Sequence, residues 1–133
     1  MADTRPPLPA RQTLALILLP MLATVLVLRL YLHLVHVRHI YPGGYLVHHL
    51  FIGVLIEVPA AFLLAFGTRY RRLARVAVGI GSGLMLDELA YLVATGASDA
   101  DYVSRTSVIG SGIFVFLALG CLVGLYLLHR DEV

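Results

Sequence analysis

Five of the six histidines of this chain lie in one apolar stretch, RLYLHLVHVRHIYPGGYLVHHLFIGVLIE, which runs from Arg29 to Glu57. Imidazole side chains bind transition metals, serve as axial ligands of haem iron and exchange protons near neutral pH. Apolar sequence is an unusual setting for so many of them. We therefore expect the chemistry of this protein in this stretch.

The stretch divides into two arms at a Tyr-Pro-Gly-Gly break, residues 41–44. Residues three or four apart share one face of a helix, so Arg29, His33 and His36 form a stripe on the first arm. His49 and Glu57 form a second stripe on the other arm. Because the two arms must run antiparallel, we expect both polar stripes to face one region.

A later apolar segment, GLMLDELAYL, adds the adjacent acids Asp87 and Glu88. Two imidazoles with nearby carboxylates favour a divalent metal such as Zn or Fe over a soft-metal site. The predicted metal ligands are His33, His49 and Asp87. In such a site Glu57 or Glu88 would accept a proton from metal-bound water, and Arg29 would bind an anionic group of the substrate.

Other polar residues fall at a similar depth when helical rise is counted from the end of each apolar segment. Those expected to line the same site and to contact a bound cofactor or substrate are His36, His48, Tyr91, Ser107 and Ser111. Every apolar segment then contributes polar side chains to one half of the membrane. This agreement predicts a polar chamber that is closed below and open to the outer side.

The elements that must position these residues are membrane spans. The chain has 133 residues, 59% of them hydrophobic, and a mean hydropathy of +0.88, which is more apolar than a soluble domain. Four segments are long enough to cross about 30 Å of hydrocarbon. We predict an all-α, four-helix transmembrane domain over residues 12–133, with spans at 12–38, 45–67, 73–95 and 104–129. Residues 1–11 are expected to form a disordered cytoplasmic tail.

The arginines predict how the spans are oriented. They lie before the first span, between the second and third, and after the fourth: Arg5, Arg11, Arg69, Arg71, Arg72, Arg75 and Arg130. Cytoplasmic loops are enriched in Lys and Arg, so both termini are predicted to be cytoplasmic in a multi-pass protein of the cell membrane. The polar site then faces the extracytoplasmic side.

The function expected from this site is that of a metal-dependent, membrane-embedded enzyme, most simply a hydrolase acting on a lipid or amphiphile. Three alternatives remain open: a haem-b electron carrier with two axial imidazoles, a proton or metal-ion transporter with Glu57 near the midplane, and a structural ion-pair network. The zinc-protease motif HExxH is absent. The string GIGSGL lacks the spacing of a dinucleotide-binding loop, so helix packing explains it better.

One side-chain contact is predicted from the depth of Arg29 alone, whichever of these functions is correct. At its depth Arg29 has no water to satisfy its guanidinium group, and an unpaired charge there is costly. Its side chain should therefore contact Glu57, Asp87 or Glu88.

The expected partners are membrane lipids and a small amphiphilic or anionic substrate, and no nucleic acid. Gly120 and Gly124 lie four apart in the fourth span, a spacing that admits a close helix neighbour. They predict either packing within the chain or a homo-oligomer contact. The single cysteine, Cys121, lies beside them and is expected to act as a small apolar residue.

Overall fold

The computed structural model describes residues 8–35, 48–67, 69–96 and 98–129. Across these ranges the chain forms five helices and no strand: α1 (Ala10–Leu34), α2 (His49–Phe66), α3 (Arg71–Ala94), α4 (Asp99–Tyr102) and α5 (Arg105–His129). The four long helices are each long and apolar enough to cross a membrane. The predicted all-α fold with four candidate spans is thus confirmed.

The helix ends around the histidine-rich stretch differ from the predicted spans. α1 ends at Leu34, four residues short of the predicted boundary, and Val35 is already extended at φ −115° and ψ 116°. α2 begins at His49, after an extended His48. The Tyr41–Gly44 break, His36 and residues 1–7 lie outside the described residues. The short α4 was not predicted at all.

α3 is the central helix of the described structure. It packs against α1, α2 and α5, whereas among the described helices no Cα atom of α2 lies within 8 Å of a Cα atom of α1 or α5. The most apolar 18-residue stretch of α3 has a mean hydropathy of 1.5, the lowest value among the four spans. Of the residues in this stretch, 39% are buried. The least apolar span is central because its polar residues need protein neighbours rather than lipid.

Alternate glycines of α3 face opposite neighbours. A Cβ on Gly79 would collide with the carbonyl oxygen of Ile17 in α1, and a Cβ on Gly81 would lie 2.8 Å from the Glu57 Cβ in α2. Two residues along a helix correspond to about 200° of rotation, so these contacts lie on opposite sides. The GIGSGL string serves helix packing, as predicted.

The same contacts give the directions of the helices. Ile17 faces Gly79 and Met21 faces Gly83, so residue numbers rise together and α1 runs parallel to α3. For α2 the pairs run in opposite order, because Gly53 contacts Met85 while Glu57 contacts Gly81. α5 is also antiparallel to α3, since both the α3 C-terminus and the α5 N-terminus lie at α4.

Gly120 and Gly124 lie away from these contacts. No atom of the described chain comes within 4 Å of a Cβ built at either position. Within the described residues the pair therefore has no packing role, and the homo-oligomer contact stays a prediction. Elsewhere on the bundle, large apolar side chains such as Leu19, Phe66 and Phe116 are exposed, as expected for surfaces that meet lipid.

Candidate functional site: the Asp87 centre

Asp87 and Glu88 of α3 are adjacent buried acids with different neighbours. Their exposed fractions are 0% and 3%. Adjacent helical residues project about 100° apart. Asp87 consequently meets α1, α4 and α5 as well as His49 of α2, while Glu88 faces the start of α2 alone. We call these two acids and the side chains that bind them the Asp87 centre.

Asp87 is bound by side chains from every neighbouring element. The Arg29 Nε donates to Oδ1, and the Tyr102 hydroxyl donates to Oδ2. The His49 Nε2 lies 3.1 Å from Oδ2. The Ser111 hydroxyl donates to Oδ1 at a distance of 3.5 Å. Both carboxylate oxygens are therefore occupied by protein donors.

Arg29 uses the rest of its guanidinium group within the same centre. One Nη donates to the Asp87 carbonyl oxygen at 2.7 Å, and the other donates to the Tyr102 carbonyl oxygen at 3.0 Å and to the Ser107 Oγ at 3.2 Å. The guanidinium carbon of Arg29, Cζ, also lies 4.7 Å from the centre of the Tyr102 ring. The predicted contact between Arg29 and an intramembrane acid is confirmed, and Asp87 is the acid.

Glu88 is bound by the first residues of α2. The His48 Nδ1 lies 2.5 Å from its Oε1, and the Leu50 backbone N–H donates to its Oε2 at 2.6 Å. Free N–H groups at a helix start favour a negative charge. His48 provides no side-chain cap to α2, so a carboxylate on another helix takes that place. This contact stabilises the start of α2.

His49 lies between the two acids. Its Nε2 is 3.1 Å from an Asp87 oxygen, and its Nδ1 is 3.3 Å from a Glu88 oxygen. Its two ring nitrogens are thus directed at carboxylate oxygens of different acids, and His49 links Asp87 to Glu88.

Tyr102 is a member of the centre that the sequence reasoning missed. It lies on α4, outside the four spans, and burial raises the pKa of its phenol, to which the negative charge of Asp87 adds. The hydroxyl therefore stays protonated and able to donate. α4 starts with a capping box in which the Ser98 and Asp101 side chains each bind the other's backbone. That motif is readable from the spacing of Ser98 and Asp101.

Three further predicted site residues lie at or near the centre, in addition to Arg29, His48, His49, Asp87 and Glu88. Ser107 and Ser111 of α5 are buried and bound as described. Tyr91 is 2% exposed, and its ring centroid lies 5.3 Å from that of Tyr102 and 6.2 Å from that of His48. Polar residues of all four spans thus meet at one level, as the helical spacing predicted.

Two predicted site residues are not brought into the centre. Glu57 accepts a hydrogen bond of 3.0 Å from Ser82, and no described contact joins it to Arg29 or to the histidines. His33 is exposed in the last turn of α1, and within the described ranges no hydrogen bond or ion pair joins it to His49 or Asp87. His36 lies outside those ranges.

The described residues also contain no group of three or more His, Cys, Asp or Glu side chains placed to hold a metal ion. Every buried side-chain nitrogen or oxygen atom among them has a hydrogen-bond partner. A metal bound by Asp87 and His49 would have to replace contacts made by Arg29 and Tyr102. The donor set of this conformation therefore fits an internally satisfied ion network better than a preformed metal site.

An apolar groove lies beside α3 and is lined by residues of all four long helices. Its volume is about 490 Å³. Its lining residues include Leu50 of α2, Met85 and Leu89 of α3, and Cys121 and Leu122 of α5. Leu50 is also the residue whose N–H binds Glu88. The groove and the acidic site therefore share one residue at their junction.

Comparison with protein-family models, with curated proteins and with solved structures found no match for this chain.

Proposed function

We propose that the chain is a multi-pass membrane protein with both termini in the cytoplasm and the Asp87 centre near the extracytoplasmic side. Arginines support this orientation, because Arg11, Arg69, Arg71, Arg72 and Arg75 lie at the end opposite the centre. Apart from Arg29, which is bound within the centre, Arg105 is the one arginine described at the α4 end. A reporter enzyme fused after Val133 should be active only in the cytoplasm. Activity of an extracytoplasmic reporter at that position would overturn the orientation.

We further propose that the centre is the acid–base site of a membrane-embedded enzyme that acts on an amphiphile. The observation that carries this proposal is the position of Leu50. Its backbone N–H binds Glu88, and the same residue lines the apolar groove. An apolar chain lying in the groove would thus bring its polar head to Glu88 and His48.

The residues of the centre divide into two roles under this proposal. His48 and Glu88, 2.5 Å apart, exchange the proton with the substrate head or with water, since an imidazole and a carboxylate in direct contact form an acid–base pair. Arg29, Asp87 and Tyr102 hold the helices in register around that pair. Arg29 differs here from the prediction that it binds the substrate, because its donors are already directed at protein acceptors.

A metal-dependent hydrolase is the second candidate. Two of its predicted ligands, His49 and Asp87, are hydrogen-bonded to each other at 3.1 Å, so a metal would have to replace that contact. His33 would have to supply the third ligand. For a haem-b carrier the support is weaker, because His48 and His49 both direct ring nitrogens at carboxylates.

The test is conversion of lipids by purified protein. Wild-type protein in lipid nanodiscs is incubated with a lipid extract of the producing cells, with and without a chelator, and the products are measured by mass spectrometry. A converted species should form with wild type, disappear with Glu88→Gln and persist with Glu57→Gln. Gln at position 88 keeps an oxygen for the Leu50 N–H, so helix α2 should still start normally.

Each outcome separates the candidates. Conversion that survives the chelator supports the metal-free acid–base enzyme, whereas loss of conversion together with zinc or iron in the untreated protein supports the metal-dependent one. Equal conversion by Glu88→Gln and wild type contradicts the role of Glu88. No conversion of any lipid by wild type leaves the structural ion-pair network as the better account.

A further inference from the structure

The end of the bundle opposite the Asp87 centre collects arginines from α1, from α3 and from the residues just before α3. α1 and α3 are parallel, with Ile17 facing Gly79 and Met21 facing Gly83. The same offset places residues 10–13 beside residues 72–75. The arginines gathered there, which we call the arginine end, are Arg11, Arg69, Arg71, Arg72 and Arg75.

No carboxylate neutralises the arginine end within the described residues. The acids whose side chains are described are all engaged elsewhere: Glu57 with Ser82, Asp87 and Glu88 in the centre, and Asp101 with Ser98. Arg71 and Arg72 are also exposed. Several like charges on adjacent turns repel one another, so a bound anion would stabilise this end.

A cleft lies within this cluster, between the first turns of α1 and α3. Its volume is about 460 Å³, and it is lined by Gln12, Ala15, Leu16 and Arg72. Gln12 and Arg72 offer N–H donors, whereas Ala15 and Leu16 form an apolar wall one turn further into the membrane. The cleft thus changes from polar to apolar along the helix axis. A phospholipid changes in the same direction, from headgroup to acyl chain.

We propose that this cleft binds the headgroup of an anionic phospholipid. The Arg72 guanidinium group pairs with the phosphate, for which its planar set of donors is well matched. Gln12 donates to the same headgroup, and the start of an acyl chain lies on Ala15 and Leu16. Basic pockets between transmembrane helices at the membrane surface bind anionic headgroups in this way. The site is independent of the function proposed for the Asp87 centre.

The test is native mass spectrometry of detergent-purified protein with added phosphatidylglycerol or phosphatidylcholine of identical acyl chains. Wild type should retain phosphatidylglycerol in preference to phosphatidylcholine. Arg72→Gln should weaken retention of phosphatidylglycerol about fivefold and leave phosphatidylcholine unchanged. The matched control is Arg105→Gln, an exposed arginine at the other end of the bundle, which should retain phosphatidylglycerol as wild type does.

Two results would overturn the proposal: equal retention of the two lipids by wild type, or unchanged retention of phosphatidylglycerol by Arg72→Gln. A second measurement uses wild type alone, so it does not depend on the folding of a variant. Added salt screens exposed charges, and raised sodium chloride should therefore release phosphatidylglycerol. Retention that is insensitive to salt would also contradict an electrostatic headgroup site.

Discussion

The Asp87 centre and the arginine end place the same type of side chain, arginine, in two different environments. At the centre, Arg29 is surrounded by acceptors that the protein supplies: a carboxylate, two backbone carbonyls and a serine hydroxyl. At the arginine end, Arg72 has no acid beside it among the described residues and lines an open cleft. A charge within the membrane must be neutralised by the protein, whereas one at its surface is left to water and lipid.

The largest effect that separates the two environments is expected from Arg29→Leu. It leaves Asp87 without its cation, which should destabilise the fold by about 3–5 kcal/mol if the acid stays charged. Unfolding in mixed micelles, followed by circular dichroism, measures the change. Arg71→Leu, at an exposed position of the arginine end, should stay within about 0.5 kcal/mol of wild type.

A double variant makes that comparison sharper. Arg29→Leu combined with Asp87→Asn removes both charges, so it should be more stable than Arg29→Leu alone, because the two residues are coupled. If Arg29→Leu and Arg71→Leu cost the same, the ion pair would not be what holds α1 to α3.

A smaller effect is expected from Tyr102→Phe, which removes one hydrogen bond to the Asp87 carboxylate. The loss should be about 1.5–3 kcal/mol, the range for a hydrogen bond to a charged group. The same unfolding assay measures it at neutral pH.

This loss should also depend on pH. The pKa of the Tyr102 phenol is raised in the folded protein, mainly by burial, so the folded state holds the proton more tightly than the unfolded chain does. Its contribution is complete below the ordinary tyrosine pKa of about 10 and is lost as pH rises above that value. Wild type and Tyr102→Phe should therefore converge in stability in alkaline solution. A constant difference across that range would contradict the role of the phenolic proton.

The smallest effect is expected in the uncharged middle of α3, between the two ends. Gly81→Ala forces a methyl group to within 2.8 Å of the Glu57 Cβ and should destabilise the fold by about 1–3 kcal/mol. Gly120→Ala is the control, since nothing lies within 4 Å of its Cβ, and it should not destabilise the monomer but gain up to about 1 kcal/mol from the better helix propensity of alanine. A drop for Gly120→Ala that depends on protein concentration would instead support the predicted homo-oligomer contact.

The spans and the Arg29–Asp87 pair were predictable because each follows from a local rule. Long apolar runs specify the helices, and an intramembrane arginine requires an acid. His33 shows where such rules stop. The spacing of His33 places it on the same face of α1 as Arg29. That face is covered only where α1 packs against α3 and α5, and His33 is exposed. Periodicity gives the face of a helix and does not give the helix that covers it.

Tyr102 was missed for a different reason. Hydropathy windows search for helices that cross the membrane, and α4 has four residues. The Ser98–Asp101 capping box indicates a helix start, yet nothing in the local sequence shows that the turn folds back over Asp87. That contact depends on where α3 ends and α5 begins, which is a property of the assembled bundle.

The central position of α3 has a consequence for how the protein enters its membrane. α1 and α2 are synthesised first, and among the described helices no Cα atom of one lies within 8 Å of a Cα atom of the other. Arg29 precedes Asp87 by 58 residues. The ion pair between them therefore cannot form until α3 has been made, and the native packing of α1 and α2 depends on the third helix.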